Sequence, residues 1–459
     1  MKYKMGKYKA LTIAGVFASL AAMAEPSKPN LVLFIADDCS YFDIGIYGSK
    51  DAKTPCVDKF AAEGIRFTKG YQAAPMCSPT RHNLYTGIWP VKTGAYPNHT
   101  TAYEGTKSIV HHLKPAGYRV ALVGKTHILP RSTFPFEYIS TMQGQEINFA
   151  AIDTFITSCT RTNTPYCLFV ATNQPHEPWS KGDPSKYDPQ KITLPPYYVD
   201  TKSTRTTFCK YLAEVSYMDN EFGTLLNQID KHKQRDNTVV VYLSEQGNSL
   251  PFAKWTCYDV GVRSAYMVRW PGKIKPGIVS DAIVEYCDIT PTFVDIAGAK
   301  PVCNMDGESI LPILLQTKKE GKQYTYSLQT TKGIAEGSKY FGIRSVADSK
   351  YRYIVNLTPE ATFRNLTTID PLFLEWIKLA ETDPKAKEIT LRYQHRPPVE
   401  LFDLGKDIYC INNLAQDPAY KNVIQRMDKA LKNWMKECGD KGQETELEAW
   451  KHKPGTNIK

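Results

Sequence analysis

Leu31-Val32-Leu33-Phe34-Ile35-Ala36-Asp37-Asp38 is the stretch on which the fold turns. Five consecutive large apolar side chains leave neither face of a strand polar. That pattern belongs to a strand buried on both sides, as in a parallel sheet. The run then ends abruptly in two carboxylates. Three later runs repeat the design. Val120-Ala121-Leu122-Val123 leads into Gly124-Lys125-Thr126-His127. Cys167-Leu168-Phe169-Val170-Ala171 leads to Asn173-Gln174-Pro175-His176, and Val239-Val240-Val241-Tyr242-Leu243 to Ser244-Glu245-Gln246-Gly247. Helical spacing lies between them, over residues 57–64 and 207–231. In an open parallel sheet the carboxyl ends share one edge, and ligands bind at that edge. Four polar, titratable strand ends therefore predict one site on an α/β fold with a large, mostly parallel central sheet flanked by helices.

After about residue 320 the pattern changes. Residues 338–356 alternate like an antiparallel hairpin with one solvated face. Tyr420, Val423, Ile424, Met427, Leu431 and Trp434 recur at helical spacing within 419–438. The expected layout is a leader over 1–24, a catalytic domain over 25–320, a smaller C-terminal α+β subdomain with an antiparallel sheet over 321–440, and a polar tail over 441–459.

The leader reading rests on Lys2, Lys4, Lys7 and Lys9, the apolar run from Ala10 to Leu20, and Ala22-Met23-Ala24. A basic start, a short apolar core and an Ala-x-Ala end make a secretory signal peptide rather than a membrane span, with cleavage expected after Ala24. The chain of 459 residues carries a formal charge of +10, and the part after Ala24 retains 53 basic and 47 acidic side chains. A net charge of +6 favours anionic substrates mildly and does not point to nucleic acid. No later segment reaches the roughly 20 apolar residues of a transmembrane helix, so no stable membrane insertion is expected. The leader reads as bacterial, so a secreted or periplasmic protein is expected. The 11 Cys include no C-x-x-C pair. Their wide spacing reads neither as a disulfide scaffold nor as a zinc site.

Met76-Cys77-Ser78-Pro79-Thr80-Arg81 contains C-x-P-x-R, and Leu84-Tyr85-Thr86-Gly87 follows. Taken alone, a Cys before a helix-starting Pro is an ordinary buried group. With the four strand ends in the same order, the chain resembles the type I sulfatases of the alkaline phosphatase superfamily, from Pro29-Asn30 to about Leu431. That resemblance implies an alkaline-phosphatase-like sandwich and oxidation of Cys77 to formylglycine by a maturation enzyme. The hydrated aldehyde would offer two hydroxyls on one carbon: one attacks sulfur, and loss of a proton from the other lets the carbon collapse and expel sulfate. Arg81, one helical turn on, faces the same side.

The resemblance also assigns the strand ends. Asp37 and Asp38 match metal ligands. Lys125 and His127 match G-K-x-H, where Lys steadies nucleophile and sulfate and His takes the hydrate proton. His176 matches the P-H-x-P sulfate contact and candidate acid, and Lys254 the sulfate-binding cation nine residues after Glu245. Glu245-Gln246 departs from the family's S-D-[NH]-G, each side chain one methylene longer, while Tyr258-Asp259, Gly261-Val262-Arg263 and Met267-Val268-Arg269-Trp270-Pro271-Gly272 keep the frame. Three carboxylates, one amide oxygen and the oxygen at position 77 are hard ligands. They favour Ca²⁺, then Mg²⁺, over Zn²⁺.

Leu250-Pro251-Phe252-Ala253-Lys254 and the loop from Gly124 to Phe136 are most similar to the heparan N-sulfatase (sulfamidase) branch and related bacterial glycan sulfatases. The implied substrate is a sulfated saccharide such as one derived from a glycosaminoglycan, through sulfate ester or N-sulfamate. His99, Arg131 and Arg344 are candidate sugar contacts, each with a plain structural alternative. Two rivals stand beside this reading. A phosphodiester or phosphonate hydrolase of the same superfamily would be marked by additional His ligands. A glycan-binding relative without activity would have lost Cys77, Arg81 or His127. Asn98, Asn356 and Asn365 sit in glycosylation sequons, which a bacterial host would leave bare.

Overall fold

The structure is a computed structural model that describes residues 28–141 and 146–452. The expected leader lies outside the described residues.

The strands of the main sheet are β1 (Asn30–Ala36), β2 (Ile65–Tyr71), β3 (Arg119–Gly124), β4 (Glu137–Thr141), β5 (Tyr166–Ala171), β6 (Thr238–Ser244), β7 (Arg263–Arg269) and β8 (Ile278–Glu285). They lie in the order β4-β3-β5-β1-β6-β7-β2-β8, and only β7 runs against the rest. The four runs read from sequence are β1, β3, β5 and β6. Side chains along β1 alternate between two apolar cores. Val32 and Phe34 pack on one face of the sheet, Leu31, Leu33 and Ile35 on the other. This two-sided burial is the cause of the unbroken apolar runs.

The helix Lys202–Lys231 covers the first face. Phe208, Tyr211, Leu212, Val215, Met218, Phe222, Leu225 and Ile229 repeat on its buried side. It begins earlier than its apolar spacing shows, because Thr201 caps it by accepting from the Thr204 N–H. Its Asp219 accepts from the Cys56 and Val57 N–H groups at 3.1 and 2.8 Å. Those donors open the helix Pro55–Ala62, where no carbonyl within the helix could serve them. The other face carries the helices Cys77–Thr86 and Ile289–Ile296 through Leu84, Tyr85 and Phe293.

A second sheet holds β9 (Thr325–Gln329), β10 (Ile343–Ala347), β11 (Tyr351–Asn356) and β12 (Val399–Asp403), all antiparallel, in the order β12-β11-β10-β9. The helix Lys421–Cys438 packs Met427, Leu431 and Trp434 against it. Between β11 and β12 the chain leaves this sheet. Helices Pro371–Leu379 and Pro384–Gln394 bury Phe373, Trp376 and Tyr393 in the core of the first lobe, and Trp376 Nε1 donates to Thr204 Oγ1 at 2.9 Å. The two lobes thus share a core above the sheet edge.

The segment expected as a polar tail contains the helix Gln443–Glu448. Its Glu446 is fully buried and accepts from Thr330 Oγ1 and from the Thr331 N–H at 2.8 Å. All 11 cysteines are unpaired. No helix among the described residues is long and apolar enough to cross a membrane. The sequon asparagines Asn98, Asn356 and Asn365 are all buried. Their amide nitrogens donate to Gly333 O, to Pro397 O and Glu400 Oε1, and to Tyr393 Oη respectively.

Candidate functional site

Parallel pairing continues past the strand ends and sets the first groups of the site. Ala36 pairs with Ser244 and Ile35 with Ala171. Beyond them Glu245 N donates to Ala36 O at 2.7 Å, Asp37 N to Gln174 O at 3.0 Å and Cys39 N to Glu245 O at 3.1 Å. Asp37-Asp38 and Glu245-Gln246 therefore lie side by side. On the next strand Gly124 adopts φ +87°, and a Cβ there would meet Ala171 O at 2.1 Å. Only glycine allows this approach, which ties Lys125 N to Ala171 O at 2.8 Å and turns Lys125 and His127 onto the shared edge.

Cys77 arrives from β2, which also ends on this edge, as the first residue of the helix Cys77–Thr86. Every residue of that helix is buried. Arg81, one turn on, donates from Nη2 to Glu245 Oε2, lies 3.5 Å from Asp37 Oδ1 and donates from Nη1 to Lys125 O at 3.1 Å. Lys125 Nζ is paired with Asp37 Oδ2. Lys254 Nζ donates to Asp38 Oδ2 at 2.6 Å and lies 3.1 Å from His176 Nε2, itself 3.4 Å from Asp38 Oδ2. Gln246 Nε2 donates to Asp38 Oδ1 at 2.6 Å. All ten residues singled out in the sequence meet at one place.

The charges do not close on themselves. Asp37 Oδ1, Glu245 Oε1 and Gln246 Oε1 are buried and meet no hydrogen-bond donor among the described residues. Burial pushes the Asp37 carboxyl up, but Lys125, His176, Arg81 and Lys254 outweigh it and hold it well below the usual carboxylate range. Glu245 goes the other way. Burial raises it to about 8, because Arg81 cannot offset that cost with Asp37 alongside. Burial raises the Cys77 thiol too, against the pull of Lys125 and Lys254. Burial and then Lys125 push His127 well below its ordinary value, and burial lowers His176 despite Asp38. Three buried oxygens without donors, two of them on carboxylates, suit a hard divalent cation. A second acidic cluster, Glu285, Cys287 and Asp288, does not need one: Lys322 Nζ lies 2.6 Å from Glu285 and 2.7 Å from Asp288.

The site opens into a cleft of about 580 Å³. Cys77, Lys125, His127, His176 and Lys254 line its floor; Trp179, Trp255 and the segment 366–373 of the second lobe wall it. A larger hollow of about 770 Å³ along β8 holds none of these groups. His99 lines the cleft with its Nδ1 2.6 Å from His127 Nε2. The other two candidate sugar contacts are elsewhere. Arg131 stacks on Tyr138, 3.5 Å from the ring centre, and Arg344 is fully buried against Asp440. Glu177, Trp179, Trp255 and Asp370 line the cleft as well and were not singled out in the sequence. Only Glu177 carried a signal, its place beside His176 in Pro175-His176-Glu177-Pro178.

Residues 29–299 match the family model described as Sulfatase, and residues 247–366 one described as N-sulphoglucosamine sulphohydrolase, C-terminal. An ulvan-active sulfatase of Formosa agariphila is 32% identical over 421 residues, covering 90% of this chain and 81% of the relative. The N-sulphoglucosamine sulphohydrolase of Homo sapiens is 25% identical, covering 90% of both chains. Among solved structures, the phosphonate monoester hydrolase of Agrobacterium radiobacter superposes with TM-score 0.71 at 16% identity, covering 89% of this chain and 96% of that one. A structure in complex with its substrate D-glucosamine-2-N,6-O-disulfate superposes with TM-score 0.69 at 19% identity, covering 91% and 99%. The structural likenesses share the fold. The family match spans more than half of the sequence and includes all ten converging residues: seven that follow four strand ends, Lys254 further along after β6, and Cys77 and Arg81 on their helix. The chain belongs to the sulfatase family: it is a type I sulfatase of the alkaline phosphatase superfamily, a sulfuric-ester hydrolase.

Proposed function

We propose that the protein removes sulfate from sulfated saccharides, using Cys77 matured to formylglycine and a calcium ion held by Asp37, Asp38, Glu245, Gln246 and position 77. The observation that carries this reading is the set of cationic and imidazole groups gathered with Cys77 on the floor of one cleft, Lys125, His127, His176 and Lys254, with Arg81 buried behind them. Formylglycine supplies, as its hydrate, a nucleophile with a second hydroxyl on the same carbon. Calcium, when bound, would supply the positive charge that polarises the nucleophile. The donorless oxygens of Asp37, Glu245 and Gln246 support that ion, and the longer Glu-Gln pair keeps the ligand chemistry of the shorter pair it replaces.

The remaining work falls to the protein's own groups. Lys125 and Lys254 hold the sulfate oxygens, and in this buried site their charge acts with little screening. Arg81 positions the nucleophile and neutralises Glu245. His127 takes a proton at the nucleophile side, and His176, beside Lys254, gives one to the leaving oxygen. The saccharide class follows from the ulvan-active and N-sulphoglucosamine relatives. Sulfate ester is the reading adopted, and the C-terminal model match supports N-sulfamate as the second. Export by the leader to the periplasm or beyond fits such a substrate. Cys77 is buried, so its maturation enzyme acts before the helix Cys77–Thr86 closes.

Free sulfate released from matched N-, 2-O-, 3-O-, 4-O- and 6-O-sulfated saccharides tests this, using protein co-produced with a maturation system. Release from one saccharide, lost by on the order of 10⁴-fold or more in Cys77→Ala, is expected. Silence across the panel and on longer glycans, with formylglycine verified by mass spectrometry, overturns it.

A further inference from the structure

His99 lies outside the groups that the family pattern assigns, yet its surroundings tie it to the chemistry. Its Nδ1 is 2.6 Å from His127 Nε2, with the ring centres 4.4 Å apart. Two imidazole nitrogens at that distance share one proton between them. The other nitrogen of His127, Nδ1, is buried at the cleft floor and meets no hydrogen-bond partner among the described residues. His99 is exposed to solvent and His127 is half-buried. The two imidazoles thus form a line from a buried, unengaged nitrogen to water.

The backbone holds His99 there at a cost. It sits at φ +57°, and Asp38, His127 and Gln246 of the same site are also left-handed, at +58°, +51° and +35°. Such conformations are strained for residues other than glycine and persist where their surroundings enforce them. For His99 the enforcement comes from the second lobe. Asn98 N donates to Lys332 O at 3.0 Å, and Asn98 Nδ2 to Gly333 O at 3.3 Å. Gly333 has φ +84°, and a Cβ there would meet Asn98 O at 2.0 Å, so the approach needs glycine. On the other side Ala102 N donates to Leu129 O at 2.9 Å, on the loop that carries His127.

Resting on the sulfatase reading above, we propose that His99 is a positioning residue that works through His127: it fixes the tautomer with Nδ1 free and Nε2 protonated, and it relays the proton of turnover to water. His127 Nδ1 forms an N–H bond with the proton leaving the substrate-side hydroxyl, whose oxygen keeps the electron pair. The Nε2–H bond of His127 breaks and its proton joins His99 Nδ1, so His127 returns to neutral. His99, then an imidazolium, gives its Nε2 proton to water. No electron is transferred. Burial and then Lys125 make a lasting charge on His127 unfavourable, and burial with Lys125 and Lys254 holds His99 down to about 4, so the proton passes through both rings to water.

Two variants of the full, matured chain test this. His99→Ala removes both functions. His99→Asn keeps a hydrogen-bond acceptor near the Nδ1 position and removes the relay. Sulfate release by both should fall about 10²-fold in kcat with little change in KM. Added imidazole should restore His99→Ala and leave the wild type unchanged. Independently of activity, ¹⁵N-histidine NMR of the unmatured protein, assigned with His127→Gln, should show His127 protonated at Nε2 in the wild type and in His99→Asn, with that preference lost in His99→Ala. Full kcat in His99→Ala, a loss confined to KM with no imidazole rescue, or His127 protonated at Nδ1 in the wild type would each overturn the proposal. If the matured wild type releases no sulfate at all, the sulfatase reading fails on that result, while the NMR measurement still decides the tautomer.

Discussion

Two of the buried sets of charged side chains in this molecule are arranged differently. In the second lobe Arg344 donates to both Asp440 oxygens and to the carbonyls of Gln329 and Ile343. Arg352 gives two hydrogen bonds to Asp259 and others to Cys257 O and Ser345 Oγ. Each ion pair is closed, with every guanidinium nitrogen hydrogen-bonded. At the sheet edge Arg81, Lys125 and Lys254 face Asp37, Asp38 and Glu245, and oxygens remain without donors. Closed pairs hold elements together, whereas the open set keeps binding capacity in reserve.

Breaking one member of each set should separate the two roles. Asp440→Ala leaves the Arg344 charge buried alone. Denaturant unfolding should show a loss of about 3–5 kcal/mol, with sulfate release per folded molecule kept within about twofold. Arg81→Met should do the reverse, losing about 10²–10³-fold in sulfate release with a smaller change in unfolding free energy. Equal stability losses with equal activity losses would erase the distinction.

The open set should respond to a cation and the closed set should not. Calcium added to chelator-treated protein at a hundredfold excess over Kd should stabilise it by about 2.7 kcal/mol. The gain should persist in Asp440→Ala and vanish in Glu245→Ala. Elemental analysis that finds only transition metals in the purified protein would refute the assignment of calcium.

Glu221 is an intermediate case, a buried carboxyl with one hydroxyl partner and no cation. Thr172 Oγ1 donates to it at 2.5 Å, and burial pushes it up to about 7 despite that bond. Its folded value exceeds the ordinary 4.5, so the folded state keeps the proton longer than the unfolded chain. Stability is then unpenalised below about pH 4.5 and falls as pH rises to about 7. Glu221→Gln should flatten that slope and gain roughly 1–2 kcal/mol above it in thermal or denaturant unfolding. An unchanged slope would show that other groups carry it.

The strands that proved legible in the sequence are those with apolar cover on both faces. β1, β3, β5 and β6 are buried along nearly their whole length, so their composition alone marks them. β2 reads Ile-Arg-Phe-Thr-Lys-Gly-Tyr and β8 is half exposed, so neither stands out from a loop. The ten site residues were legible because each follows a marked strand or sits in the C-x-P-x-R motif. His99 could be named only as a candidate, because the contacts that place it come from Lys332 and Gly333, more than 230 residues away in the chain. Arg344 could be named as a candidate sugar contact because its partner Asp440 is nearly 100 residues distant. Glu446 fell in a stretch that read as a polar tail because Thr330 and Thr331, which bind it, lie 116 and 115 residues earlier in the chain.

The three buried asparagines bear on how the protein can be made. A secretory pathway that attaches glycans during translocation meets each sequon before the chain has folded. An asparagine bearing a sugar chain cannot then enter the interior, where its amide must bond Gly333, Glu400 or Tyr393. Animal or yeast secretion would therefore trap modified chains as misfolded material, while bacterial export leaves all three positions free to close.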